Sequence, residues 1–103
     1  MVSHVIIWKL KPEAGDPEEI KKNAKENLEA LNGRIDGLIN IEIFTEALPS
    51  SSGDMMLVSS FESEAALEGY RTNPLHVKAA DTYVRPFYDI RLSFDTKAED
   101  SNA

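Results

Sequence analysis

The nine residues Val2-Ser3-His4-Val5-Ile6-Ile7-Trp8-Lys9-Leu10 decide the fold. They are rich in β-branched and aromatic types, which pack well on a pleated surface, and they predict a strand. Successive side chains of a strand point to opposite faces. Val2, His4, Ile6, Trp8 and Leu10 therefore share one face, and Ser3, Val5, Ile7 and Lys9 the other. Both faces are apolar at their centres, so both need cover. The rest of the chain has to supply it.

Downstream, Lys11-Pro12-Glu13-Ala14-Gly15 reads as a loop, and Asp16-Pro17-Glu18-Glu19 as a helix start. Aspartate stands at the N-cap, proline at the first helical position, and a glutamate three residues after the cap. Ile20, Ala24, Leu28 and Leu31 follow at helical spacing, and Gly33 is a natural terminator, so a first helix is predicted over about 17–32. A second strand is predicted over 38–46, with Ile39, Ile41 and Ile43 on one face. Pro49 to Asp54 is a turn-rich connection, and 55–61 a third strand. Ser63 caps a helix through Ala65, Ala66, Leu67 and Tyr70; Asn73-Pro74 restarts helix to about Val84, Arg85-Pro86 breaks it, and 87–95 is the last strand. The order β-α-β-β-α-β is the ferredoxin-like split unit, an α+β fold with its helices on one face of a four-stranded antiparallel sheet. It occupies residues 2–95, and the polar stretch 96–103 is read as a tail that does not pack by itself. The uncovered sheet face, carrying Val5 and Ile7, is best closed by a second copy, and a homodimer through sheet faces is expected.

Composition narrows the function. The 103 residues fit one domain. A formal net charge of −7 repels phosphate backbones and anionic membranes, so neither nucleic acid nor a membrane is an expected partner. The chain has no cysteine, which excludes disulfides, thiolate metal sites and a cysteine nucleophile. No carboxylate or histidine spacing suggests a metal site, no glycine-rich phosphate loop or nucleophile elbow is present, and no cofactor is expected. Its start lacks the marks of a signal peptide and its longest apolar run is four residues, so a cytoplasmic protein is expected.

The start VSHVIIWKLKP, the segment LVSSFESEAALEGYRTNPLHVK and the ending YDIRLSFD together resemble the stress-responsive A/B barrel (Dabb) family over nearly the whole chain. Phe61-Glu62-Ser63, followed by Tyr70, Pro74 and His76 at their spacing, is the most specific part, with His4 on the first strand. The resemblance implies a dimeric α/β barrel built from two ferredoxin-like subunits. It also implies a pocket between sheet and helices. One plant member closes a linear polyketide by aldol condensation without a cofactor, and its pocket histidines and tyrosine match His4, His76 and Tyr70. This chain carries Met55 in place of a further pocket histidine, and has no tyrosine on the first helix.

His76, Tyr70 and His4 are thus the candidate catalytic residues, with Ile6, Trp8 and Met55 as further ligand-binding positions. His76 stands three residues after the Asn73 cap, where the helix dipole disfavours a cation and favours the neutral imidazole that a general base needs. Tyr70 could donate a hydrogen bond to an oxygen on which charge develops, and His4 could orient the ligand or the other histidine. Set against this, each of the three could be a satisfied structural residue, and Trp8 could be core. Three readings stay open. The chain binds a small apolar or carbonyl-containing molecule; or it is a cofactor-independent cyclase-like lyase or monooxygenase; or it is a non-enzymatic, stress-associated dimer.

Overall fold

The computed structural model describes residues 1–98 of the chain. Its elements run β1 (Val2–Leu10), α1 (Pro17–Glu29), β2 (Leu38–Phe44), β3 (Met55–Phe61), α2 (Glu64–Thr72), α3 (Pro74–Tyr83), a 3-10 turn (Arg85–Phe87) and β4 (Tyr88–Lys97). All strand pairs are antiparallel, in the order β2-β3-β1-β4. This is the ferredoxin-like order read from the sequence, with its second helix broken in two at Asn73.

Local chemistry explains the breaks. Asp16 Oδ1 accepts from Glu18 N at 3.0 Å, Ser63 Oγ from Ala66 N at 3.1 Å, and Asn73 Oδ1 from Leu75 N at 2.9 Å. Each satisfies an orphan donor of a first helical turn. The residue before a proline is pushed out of the helical region. Asn73 accordingly has ψ 128°, ends α2 and starts α3.

Boundaries differ from the sequence reading at three places. α1 ends at Glu29, because the next residues close into i→i+3 bonds (Leu31 N to Leu28 O, Asn32 N to Glu29 O) before Gly33 takes φ +79°. β2 stops at Phe44, and a register irregularity between Leu38 and Asn40 reverses its faces. Leu38, Ile41 and Ile43 are therefore buried, while Ile39 is exposed, contrary to the strict alternation expected. The last strand starts one residue later, after the 3-10 turn, and continues to Lys97, since Thr96 and Lys97 pair with Ser3 and Val2. Of the stretch read as a tail, residues 99–103 lie outside the described residues.

The helices cover one face. Beneath them lies a core that includes Ile6, Leu28, Ile43, Leu57 and Phe61. The outer edge of β2 is satisfied by side chains of the α1 region. Asn32 pairs with both Ile41 N and Ile41 O at 2.9 Å, Glu29 Oε2 accepts from Ile43 N at 2.9 Å, and Lys25 Nζ donates to Ile43 O at 2.7 Å. An edge treated this way offers no template for another strand. Although burial alone would raise the Glu29 pKa, the Ile43 N–H and the Lys25 ammonium outweigh it and hold the carboxyl below its ordinary range. The opposite face is bare: Ile7 is 40% exposed, Phe44 44%, Leu92 64% and Phe94 69%. The shortest dimension is 18 Å, which fits one helix layer on one sheet. Among the described residues no helix is long and apolar enough to cross a membrane.

Gly37 makes a close approach that decides where α2 sits. It has φ +81°, and a Cβ built there would lie 2.4 Å from Ala66 Cβ. Gly33 has a similar φ, with nothing within 4 Å. Gly33→Ala should therefore cost only the left-handed strain, about 1–2 kcal/mol. Gly37→Ala should cost a further ~1–3 kcal/mol from overpacking against a side chain that cannot rotate away. Urea denaturation of the two variants checks the difference; equal midpoints would mean that α2 is free to shift.

Candidate functional site

β4 is an edge strand whose helix-side face is not roofed by α2 or α3. Tyr88, Arg91, Ser93 and Asp95 lie on that face, in register with Leu10, Trp8, Ile6 and His4. The small Ala80 on α3 leaves room above them. The result is a cavity of about 310 Å³ between β1, β4, α2 and α3. Its walls are His4, Ile6 and Trp8 from β1, Tyr70 and Arg71 from α2, and His76 and Ala80 from α3. Val84, Arg85, Tyr88, Arg91 and Ser93 complete it.

The break at Asn73 brings Tyr70 and His76 together. Tyr70 sits in the last turn of α2 and His76 in the first turn of α3, and their rings lie 4.0 Å apart between centroids, tilted by 30°. Tyr70 is 1% exposed and packs on Phe61 at 5.0 Å, with His4 at 6.4 Å. His76 Nδ1 lies 3.3 Å from the carbonyl oxygen of Arg71. A carbonyl only accepts, so Nδ1 carries the proton of the neutral ring and Nε2 keeps its lone pair.

Charge is set by burial first. Burial pushes the Tyr70 phenol far above its usual range, against the opposing positive charges of Arg91 and Arg85, so its hydroxyl stays a donor. Burial likewise holds the His76 imidazole below its ordinary value, aided by the charges of Arg85 and His4 and resisted by the carbonyls of Arg71 and Tyr70. The sequence argument reached the same direction through the helix dipole. His4 is 3% exposed and its Nδ1 bonds to Asp95 Oδ1, while Arg71 Nη2 bonds to Asp95 Oδ2. Burial would raise the Asp95 pKa, but these two partners more than reverse it, keeping the carboxyl below its ordinary range. Asp95 as acceptor leaves Nε2 of His4 as the ring atom free to meet a ligand.

Five of the six positions singled out in the sequence, His4, Ile6, Trp8, Tyr70 and His76, line this cavity. Met55 does not. It is buried in the core on an interior strand and borders instead a groove of about 580 Å³ on the bare sheet face. Its place in the ligand set is corrected accordingly. Sequence reasoning passed over Arg71, Arg85, Tyr88, Arg91, Ser93 and Asp95. A signal was present on β4, where Arg91, Ser93 and Asp95 alternate with Ile90, Leu92 and Phe94. The indole N–H of Trp8 is buried with no hydrogen-bond partner among the described residues.

The lowered His76 pKa has a consequence for stability. Its sign follows from proton uptake: between the folded-state value and the unfolded value near 6.5, the unfolded chain binds more protons. Stability from the neutral ring is present above about pH 6.5 and is lost as pH falls below it. The slope of unfolding free energy between about pH 7 and about pH 5 should be shallower in His76→Gln than in the wild type. Urea titrations at stepped pH check this, and identical slopes would contradict a desolvated His76.

The chain matches the Stress responsive A/B Barrel Domain family (Dabb) over residues 2–98. Among curated proteins none matches. Among solved structures, a dimeric protein of unknown function and ferredoxin-like fold from Bacteroides fragilis is 24% identical, with a TM-score of 0.86 over 94% of this chain and 95% of that one. A Dabb family protein from Mesorhizobium loti, also ferredoxin-like, is 20% identical, with a TM-score of 0.73 over 96% and 97%. The hydroxynitrile lyase of Passiflora edulis is 12% identical, with a TM-score of 0.78 over 97% and 94%.

Proposed function

The chain belongs to the stress-responsive A/B barrel (Dabb) family, and from that premise we propose that it is a homodimer whose cavity binds a small carbonyl compound and removes a proton next to the carbonyl. The observation that carries the reading is the Tyr70–His76 pair, a persistent donor stacked on a neutral imidazole with Nε2 free. In the reaction the C–H bond breaks, its proton passes to His76 Nε2, and its electron pair moves into the carbonyl to form an enolate. The Tyr70 hydroxyl donates to the enolate oxygen, and His4, oriented by Asp95, lies on the opposite wall. No cofactor enters these steps. The lyase among the structural neighbours is compatible with such chemistry on this fold.

The test uses acetophenone in deuterated buffer. Wild-type protein should accelerate exchange at the methyl carbon, and His76→Ala and Tyr70→Phe should each lower that acceleration by about 10²-fold. Binding without accelerated exchange would leave a binding domain. No binding would leave the non-enzymatic dimer.

Dimerisation is supported by the bare apolar face and by the dimeric Bacteroides fragilis neighbour. Light scattering should give twice 11.5 kDa at micromolar concentration. Ile7→Lys, placing an unpaired charge in a dry interface, should shift it towards monomer. A wild type that stays monomeric across dilution would sink the dimer.

A further inference from the structure

Resting on the reading of the cavity as a carbonyl-binding site, we infer that its ligand also carries a carboxylate, held by Arg91. Three guanidinium groups line the cavity, and among the described residues no aspartate or glutamate does. This is unusual in a chain of net charge −7. Two of the three are compensated nearby, Arg71 by Asp95 and Glu68, and Arg85 by Asp81. Arg91 has neither an ion pair nor a side-chain hydrogen bond among the described residues. Its Cα lies opposite Trp8, whose buried indole N–H is itself unpartnered.

The cavity groups without a protein partner among the described residues are thus mainly donors: the Arg91 guanidinium and the hydroxyls of Tyr70 and Ser93. His76 Nε2 is an acceptor, and Nε2 of His4 is the other free ring nitrogen of the cavity. A ligand that complements them is rich in acceptors and carries negative charge. A planar carboxylate meets a guanidinium with two parallel hydrogen bonds, which a neutral ester or amide cannot reproduce. The cavity volume is at the small end for ligand sites, so the compound is a small keto acid and not a long chain. Arg91 and Tyr70 then divide the ligand between them, the carboxylate at the β4 rim and the ketone at the buried end.

The probes are 4-oxo-4-phenylbutanoate and its methyl ester, which share the ketone and differ in the charge. Each is titrated by NMR into the ¹⁵N-labelled full chain, following the Trp8 indole signal, and each is also assayed for deuterium exchange next to the ketone. The acid should bind about tenfold or more tighter than the ester. Arg91→Gln should abolish that preference, Arg91→Lys should keep part of it, and added salt should weaken only the acid. Arg91 is exposed on an edge strand, so thermal melts should show both variants folded. Equal affinities in the wild type, a preference that survives Arg91→Gln, or no binding of either probe would overturn the carboxylate. Arg91-dependent binding of the acid without exchange would instead overturn the proton-abstraction reading and leave this one standing.

Discussion

A histidine buried on the central strand has to be hydrogen-bonded, and much of the site follows from how that requirement is met. His4 is flanked by Ser59 on one side and Asp95 on the other. Ser59 Oγ donates to the His4 carbonyl at 2.8 Å, and Asp95 takes the ring. The second oxygen of the Asp95 carboxylate, whose side chain is 34% exposed, is left for another donor. Arg71 supplies the second partner and thereby ties α2 to the far edge of the sheet. One buried polar residue thus links β1, β4 and α2, the three elements that carry most of the cavity wall. Such a network is stabilising only while every member is satisfied.

The alternation of β1 separates two tasks that would otherwise compete. Its even-numbered residues, His4, Ile6 and Trp8, face the helices and build the cavity. Its odd-numbered residues, Val5 and Ile7, face the bare side with Phe94 and Leu92 of β4 opposite them. The pleat thus places the proposed ligand site and the proposed dimer face on opposite sides of one sheet. A change on one face can be made without touching the other, except through the strand itself.

Most of the architecture was legible because it is written in short-range chemistry. Asp16-Pro17, Ser63 and Asn73-Pro74 announce helix starts by capping rules that need no knowledge of the rest of the chain. The two-faced pattern of β1 announces a sheet apolar on both sides, of which the helices cover one. What could not be read depends on register. The reversal at Ile39 arises from a local irregularity against β3, which neither strand declares alone. Asp95 meets His4 across 91 residues of sequence, and only the pairing of β1 with β4 reveals it. Met55 was assigned by correspondence with a relative, and an interior strand instead took it into the core. Arg91 was passed over because a lone arginine on an edge strand is ordinarily a solvated one. Only the cavity beneath α3 gives it a different meaning.

Net charge and local charge act on different length scales in this molecule. At physiological ionic strength exposed charges are screened beyond about 8 Å, so the acidic surface has little say inside the cavity. What counts there is the set of guanidinium groups at its rim. The positive charges of Arg91 and Arg85 already oppose the effect of burial on the Tyr70 phenol, which means that their field favours negative charge at that oxygen. A ligand oxygen accepting a hydrogen bond from Tyr70 would lie in the same field. Burial keeps the phenol protonated and able to donate, while the arginines stabilise the anion that its partner becomes. Where a bound ligand displaces water from the cavity, both effects are stronger than they would be on the surface. On the proposed reading the arrangement is better matched to an enolate than to the ketone from which it forms, and that difference is the one that accelerates a reaction.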